Sequence, residues 1–219
     1  MKKTKTAYLT LAALFSALAY LTVFVFRIPF IPAVGWLKFE AKDCVIALES
    51  LILGPSYGVM TSLIVSLLEM VTISDTGPIG ALMNFLSTCS FVLPVGLMYK
   101  YKKSAKTAVI GLCFSVVLTT ALMLMWNYFI TPLYLNTPRE LIVPLLLPGF
   151  LPFNLIKYTI NACLTYILYK PLITVLRKSR MLPESSHKTP STKGAVAVYI
   201  ICSIVVLASI VGAIVISIK

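Results

Sequence analysis

Histidine and acidic side chains are scarce in this sequence. There is one histidine, His187, in a polar stretch, and there are only 7 Asp and Glu residues in 219. The five cysteines form no Cys-x-x-Cys pair and lie in apolar surroundings, which is typical of small buried side chains rather than disulfides or metal ligands. The sequence therefore has little material for a metal centre or for a Ser-His or Cys-His catalytic site.

Motifs of nucleotide hydrolysis and of common hydrolases are missing as well. The sequence contains no GxxxxGK[ST] phosphate loop, no HExxH and no GxSxG. No two halves of the chain look alike, which argues against a transporter built from inverted repeats. We therefore expect no enzyme and no ATPase, and no cofactor.

Apolar residues dominate what is present. The chain is 59% hydrophobic and 12% charged, against roughly 25% charged residues in ordinary soluble domains, and its mean hydropathy is +0.95. A soluble core of this size cannot bury so much apolar surface. The composition predicts an all-α integral membrane protein in contact with the lipid bilayer.

The apolar residues fall into segments that predict a six-helix transmembrane bundle with an additional C-terminal transmembrane helix. The second segment is shorter than the roughly 20 residues that a span needs. We expect a membrane domain over 1–180, a polar cytoplasmic linker over 181–194 and the extra helix over 195–219. The predicted segments are Ala7–Phe26, Cys44–Leu53, Tyr57–Ile73, Ile79–Met98, Thr107–Ile130, Pro148–Tyr169 and Ala195–Ile218.

Basic residues give the chain a formal charge of +12, from 19 Lys and Arg and 7 Asp and Glu. They occur in short runs beside the apolar segments, at Lys2–Lys5, Lys100–Lys106 and Lys170–Lys193. Such runs mark cytoplasmic loops, so we expect a cytoplasmic N-terminus, no cleaved signal peptide and no binding of nucleic acid. The loops before Cys44, at Ser74–Pro78 and at Pro132–Leu147 are then outside.

Four polar side chains occur in apolar segments and reach the outer half of the membrane from different helices: Asn84, Asn127, Asn154 and Lys157. Intramembrane polar groups usually face a cavity or a partner helix. Asn154 and Lys157 share one helix face because they are three residues apart. Together with Asn127 they can bind the polar edge of a flat heterocycle. The first outer loop supplies a cap from Trp36, Lys38, Phe39, Glu40 and Asp43.

Other interpretations of these residues stay open at this stage. Asn84 fits a hydrogen bond to a neighbouring helix equally well, and the Lys157 side chain is long enough to reach the outer surface. Glu69 fits a salt bridge or a water-facing position as well as a ligand contact. Glu49 has no assigned role. A chain with a polar site and no energy source of its own suggests a binding subunit that depends on a motor.

Ala13 and Ala17 in the first segment are four residues apart, and such small-xxx-small spacing allows another helix to approach closely. Five segments then carry a family resemblance: LKFEAKD (Leu37–Asp43), LILGPSYGV (Leu51–Val59), MNFLSTCSFVLPVGLMYK (Met83–Lys100), WNYFITPLY (Trp126–Tyr134) and LPFNLIKYTI (Leu151–Ile160). Through them the chain resembles the substrate-binding S-components of energy-coupling factor (ECF) vitamin transporters, the riboflavin-specific branch in particular, over roughly residues 7–180.

The resemblance implies a six-helix bundle in a bacterial plasma membrane, with riboflavin as the transported ligand near the outer surface. It implies ligand contacts at Asn127, Asn154 and Lys157, with the loop Lys38–Glu40 as cap. It also implies that Ala13 and Ala17 dock the transmembrane coupling subunit, through which two cytoplasmic ATPases drive transport.

Two alternatives remain. Val65-Ser66 stands where the riboflavin branch commonly has Lys-Asn, and Glu40 and Lys42-Asp43 also differ from its usual loop, so the same fold with another vitamin or a flavin relative is one alternative. The other is a structural or regulatory membrane protein without a transported ligand.

Overall fold

The protein is an assembly of long α-helices. The computed structural model describes residues 3–74, 77–179, 181–182, 197–198, 200–202 and 204–205. Within these ranges the only β-pairing is an isolated antiparallel bridge between Ile28 and Phe39, so the prediction of an all-α protein is confirmed. The six long helices are α1 (Lys3–Val25), α2 (Lys42–Leu53), α3 (Pro55–Thr72), α4 (Gly77–Tyr101), α5 (Ala105–Phe129) and α6 (Leu151–Lys178).

The predicted count of six spanning helices plus one is not reproduced in that form. Among the described residues, five segments are long and apolar enough to cross a membrane. Helix α2 has only 12 residues, or about 18 Å of length against a hydrocarbon thickness of about 30 Å. The predicted extra helix over 195–219 and the linker over 181–194 lie mostly outside the described residues. The part of that helix at 200–202 is helical, and the thiols of Cys202 and Cys163 in α6 are close enough to interact.

Helix α2 lies at the centre of the bundle. It packs against α1, α3, α4 and α6, and every residue from Lys42 to Leu51 is buried. The turn into α3 needs Gly54, which adopts a φ of 115°, and Pro55 then begins α3 where its missing N–H costs nothing. The chain therefore reverses direction at Gly54, and α3 runs back beside α2 towards the other end of the bundle.

The outside of the bundle is apolar. On α1, Leu11, Phe15 and Ala19 repeat every four residues on the buried face, while Leu14 and Leu18 on the other face are exposed. A soluble protein rarely presents such a surface, and in a bilayer it contacts lipid tails. The exposed apolar surface thus agrees with the multi-pass membrane protein that the composition predicts.

The segment between α5 and α6 is a succession of short turns. It contains helical turns at Thr131–Tyr134 and Arg139–Ile142, a 3₁₀ turn at Val143–Leu145 and a π-helical turn at Leu146–Phe150. Helix α6 consequently starts three residues after the predicted Pro148, and it runs to Lys178, well beyond the predicted Tyr169. The loop before α2 folds back on itself through the Ile28–Phe39 bridge and covers the same end of the bundle.

Candidate ligand-binding site

A cavity of about 190 Å³ lies at the end of the bundle where α2 begins. Its walls come from the loop before α2, the end of α3, and helices α4, α5 and α6. Because α2 begins only at Lys42, it does not fill the bundle interior next to the loop. Side chains from these other elements line that space instead. The lining residues are Arg27, Trp36, Leu37, Lys38, Glu40, Glu69, Ile73, Ser74, Gly80, Met83, Asn84, Ser87, Met123, Asn127, Leu135, Phe153, Asn154, Lys157 and Tyr158.

The cavity wall gathers six of the seven residues that the sequence singled out for ligand binding. These are Lys38, Glu40, Asn84, Asn127, Asn154 and Lys157. Phe39, the seventh, lies beside the cavity. Its backbone exchanges hydrogen bonds of 2.8 and 3.1 Å with Ile28, and its ring centroid lies 6.4 Å from that of Phe30. Phe39 thus closes the loop that contributes Lys38 and Glu40.

A buried ion-pair cluster forms one side of the cavity. The Lys42 ammonium group contacts both carboxylate oxygens of Glu69, at 2.6 and 2.5 Å, and one oxygen of Glu40, at 3.1 Å. Arg27 lies 3.8 Å from the other Glu40 oxygen. Asn84 donates a hydrogen bond of 2.8 Å to Glu69, so it bonds a neighbouring helix, and it also lines the cavity; its contact with a ligand stays a prediction.

A second ion pair joins α6 to α2. The Lys157 ammonium nitrogen lies 3.5 Å from an Asp43 oxygen, and Thr88 donates a 2.7 Å hydrogen bond to the other Asp43 oxygen. Lys157 is only 6% exposed, so its side chain is held inside the bundle and does not extend to the surface. The pairing keeps a charged donor on the cavity wall at a fixed position.

The carboxyl group of Glu40, in the loop, is held in its ionised form. Burial by itself raises its pKa, but the positive charges of Lys42, Lys157 and Arg27 together outweigh burial and place the pKa below its ordinary value. Because buried charges need partners, this carboxylate depends on the neighbouring cations. The loop is thereby fixed electrostatically to α2 and α6.

The two asparagines of the opposite wall keep hydrogen-bonding capacity toward the cavity. Asn127 donates to the Met123 carbonyl at 2.7 Å and accepts from Thr131 at 2.8 Å. Asn154 donates to the Phe150 carbonyl at 2.7 Å. Each amide nitrogen carries two N–H donors, and one of them per residue is used in these bonds. The second N–H of each side chain and the Asn154 oxygen suit a planar polar ligand.

Aromatic rings flank these amides. Phe153 on the cavity wall stacks on Phe30, with ring centroids 5.0 Å apart and an interplanar angle of 16°. Trp36, also on the wall, meets Phe150 at 6.2 Å. Flat rings of this kind pack well against a planar heterocycle. The cavity therefore combines amide hydrogen bonding, charge and aromatic surface.

Several residues of the site were not assigned from the sequence. The sequence places Arg27 and Lys42 only among the loop charges, it offers Asp43 only as part of the cap, and it gives no signal for Asn161. A salt bridge is one of the roles that the sequence allows for Glu69, and the structure contains a salt bridge between Glu69 and Lys42. Val65 and Ser66, where the sequence departs from the riboflavin branch, are buried in α3 and do not line the cavity.

Ala13 and Ala17, the predicted docking pair, lie on the lipid-facing side of α1. Both are exposed, whereas the neighbouring Ala12 and Ser16 are buried against the bundle. The two alanines thus leave a shallow strip on the outer surface of α1, beside the exposed Leu14 and Leu18. A strip of this kind admits the backbone of a second helix.

Comparison with known proteins agrees with this architecture. The family model described as the substrate-specific component of ECF transporters matches residues 7–169. The chain belongs to this family. The family is a substrate-binding part of a transporter and not a family of enzymes, and the resemblance noted in the sequence is confirmed.

Individual relatives of this ECF component are riboflavin transporters by name. The chain is 30% identical to the riboflavin transporter RibU of Staphylococcus aureus, over 76% of this chain and 90% of that protein. It is 28% identical to the riboflavin transporter FmnP of Bacillus subtilis, over 81% of this chain and 99% of that protein. The solved structure of the S component of a bacterial ECF transporter superimposes with a TM-score of 0.67 at 30% identity, covering 79% of this chain and 99% of that one.

Proposed function

We propose that this protein is the riboflavin-binding S component of an ECF importer, which captures the vitamin in the cavity and passes it across the membrane. The observation that carries the proposal is the convergence of Asn127, Asn154 and Lys157 on one cavity in a chain whose named relatives transport riboflavin. The proposal includes no catalytic residue, because transport by a binding subunit changes no covalent bond of the ligand.

The chemistry of riboflavin fits the wall of the cavity. Its tricyclic ring has a pyrimidine edge with alternating carbonyl and N–H groups, which pair with the donors and acceptor of asparagine amides. Lys157 adds a charged donor for a ring carbonyl. Phe153 and Trp36 offer flat surfaces to the ring, and the hydroxyl chain then reaches the charged loop residues Lys38 and Glu40.

The size of the cavity implies movement on binding. A volume of about 190 Å³ is below the roughly 300–1,000 Å³ of ordinary ligand pockets. The ion pair between Arg27 and Glu40 is the longest in the cluster, at 3.8 Å, and Arg27 is partly exposed. We expect the loop before α2 to shift outwards at this contact when the vitamin enters.

The partners and orientation follow from the same proposal. The cavity lies at one end of the bundle, and the basic residues at the ends of α4 and α6, Lys100, Arg177 and Lys178, lie at the other. By the positive-inside rule, the basic end of the bundle faces the cytoplasm of a bacterial cell together with the N-terminus. The cavity end then faces the outside. Ala13 and Ala17 dock the coupling subunit of the ECF module, which two cytoplasmic ATPases drive.

The direct test is riboflavin binding by the purified protein in detergent. Riboflavin fluorescence should be quenched on titration with protein, with saturation at one ligand per chain. Asn154→Ala should weaken binding, and Thr174→Ala, on an exposed turn of the same helix, serves as the matched control. A well-folded protein that leaves micromolar riboflavin unquenched contradicts the proposal, and a thermal-shift screen of other heterocyclic vitamins would then test the alternative ligand.

A further inference from the structure

Asn161 of α6 ties three separate parts of the site together. Its side chain is completely buried and accepts a hydrogen bond of 2.9 Å from the backbone N–H of Cys44. Its amide nitrogen donates to the carbonyl oxygen of Glu40 at 3.1 Å and to that of Lys157 at 3.0 Å. One amide thus joins the loop before α2, the first turn of α2 and the turn of α6 that carries Lys157.

The contact with Cys44 strengthens a helix start that α2 satisfies only weakly by itself, because the Cys44 N–H also donates a longer bond of 3.2 Å to the Ala41 carbonyl. The first N–H groups of a helix have no partner within the helix, and a Ser, Thr, Asp or Asn side chain at the N-cap normally accepts from one of them. The N-cap of α2 is Ala41, which makes no side-chain hydrogen bond. The oxygen of Asn161 therefore supplies, from another helix, the side-chain cap that Ala41 lacks, and its bond of 2.9 Å is the shorter of the two that the Cys44 N–H donates.

The position of this cap determines the relative placement of the two halves of the site. Glu40 and Asp43 flank the capped turn, and they contact Lys42 and Lys157 respectively. The donors Asn154 and Lys157 are on α6, about two turns and one turn before Asn161, respectively. Asn161 itself is absent from the cavity wall, so it sets the spacing between these groups without facing a ligand in the cavity.

We infer that Asn161 is a positioning residue for the ligand: it holds the loop and the start of α2 in register with Lys157 and thereby sets the affinity. This inference rests on the proposed riboflavin-binding function. When Asn161 is removed, the Glu40 carbonyl loses a buried partner and the Cys44 N–H keeps only its longer bond to Ala41, so the loop loses its register with α6. Because Glu40 and Lys157 then no longer face the ligand at matched positions, the Kd for riboflavin should rise about tenfold or more.

The experiment compares Asn161→Ala, the milder Asn161→Ser and a matched control, Thr165→Val, in the full-length protein. Serine can still bond the Lys157 carbonyl within α6, but it is too short to reach α2. Thr165 is equally buried and lies one turn further along α6, where it bonds the Asn161 carbonyl at 2.7 Å. Riboflavin titration gives the Kd, thermal unfolding gives the Tm, and amide hydrogen exchange over residues 38–45 is followed without ligand.

The expected result is a rise in Kd for both Asn161 variants together with faster exchange over residues 38–45, and a lowered Tm with unchanged Kd for Thr165→Val. A lowered Tm with wild-type Kd in the Asn161 variants overturns the inference, because the role is then only structural. Failure of both variants to fold even with saturating riboflavin overturns it too. Failure of the wild-type protein to bind riboflavin contradicts the proposed function instead, and the exchange measurement still reports on the loop.

Discussion

The ammonium group of Lys42 lies between the two carboxylate oxygens of Glu69, at 2.6 and 2.5 Å, with both side chains almost completely buried. This pair joins the first turn of α2 to the last turns of α3, directly below the cavity. Removing one member of a buried pair leaves an uncompensated charge, which typically destabilises a protein by about 3–5 kcal/mol. The cavity floor therefore depends on charge balance as much as on apolar packing.

The first prediction concerns this pair. Glu69→Gln should lower the thermal stability of the ligand-free protein in detergent, because Lys42 keeps only Glu40 as an anionic partner and Asn84 loses a charged acceptor. We expect a loss of about 3 kcal/mol, measured by thermal or denaturant unfolding. Glu140→Gln, at an exposed position between α5 and α6, is the control and should leave the unfolding transition in place. Equal stability of both variants would show that the ion pair is dispensable.

The second prediction concerns Lys157. Lys157→Met keeps the aliphatic stem but removes the charged donor from the cavity wall and leaves Asp43 without its ionic partner. The Kd for riboflavin should rise at least tenfold, an effect of about 1.4 kcal/mol, when measured by fluorescence titration. Lys170→Met, on an exposed turn of the same helix, should bind like the wild type. An unchanged Kd in Lys157→Met would remove this residue from the proposed site.

The third prediction concerns Glu49 in the middle of α2. Both of its carboxylate oxygens are buried, no cation among the described residues forms a salt bridge with them, and the Thr61 hydroxyl beside them is also bonded to Ser16 at 3.0 Å. A neutral amide of the same shape relieves the cost of burying an unpaired carboxyl group, so Glu49→Gln should raise the Tm by about 2–4 °C, for a gain of about 1 kcal/mol. Riboflavin affinity should not change, because Glu49 does not line the cavity.

The contrast for Glu49 is Asp43→Asn. The Asp43 carboxylate has partners in Lys157 and Thr88, so the same chemical change should lower the Tm there. Stabilisation by both substitutions, or destabilisation by Glu49→Gln, would contradict the view that partners distinguish these two carboxyl groups.

The fourth prediction concerns the exposed strip on α1. The double variant Ala13→Leu with Ala17→Leu should bind riboflavin with wild-type Kd in detergent, because both residues point away from the bundle. Uptake of riboflavin by cells, and co-purification of the coupling subunit, should be lost because leucine side chains keep a second helix at a distance. Ala121→Leu, on the exposed face of α5, should retain both. Normal uptake by the double variant would place the docking surface elsewhere.

Much of the helix pattern could be predicted from the sequence, because a membrane span is encoded in the chain itself by a long apolar run. The gathering of Asn127, Asn154 and Lys157 could be predicted for a related reason. Alternating spans bring the end of the fifth segment and the start of the sixth to the same side of the membrane, so polar groups at those positions share one depth.

The partners of the charged groups could not be predicted in this way. Which carboxylate meets Lys42 or Lys157 depends on how each helix is rotated about its axis, and the mean hydropathy of a segment contains no such information. The end of α6 was missed for another reason. Its apolar run stops at Tyr169, but neither the following lysine nor Pro171 ends the helix. The helix continues through Pro171 although a proline there removes one backbone hydrogen bond and crowds the preceding turn.

The shortness of α2 determines how far a ligand has to travel. Gly54 leads directly into α3, which is long enough to span the membrane, so the far end of α2 lies at the membrane face opposite the cavity. With 12 residues, α2 extends about 18 Å from that face and stops about 12 Å short of the other boundary of a 30 Å hydrocarbon layer. In the proposed function, a ligand resting on the first turn of α2 has passed that depth on binding alone, and the driven step of import then has about 18 Å left to cover.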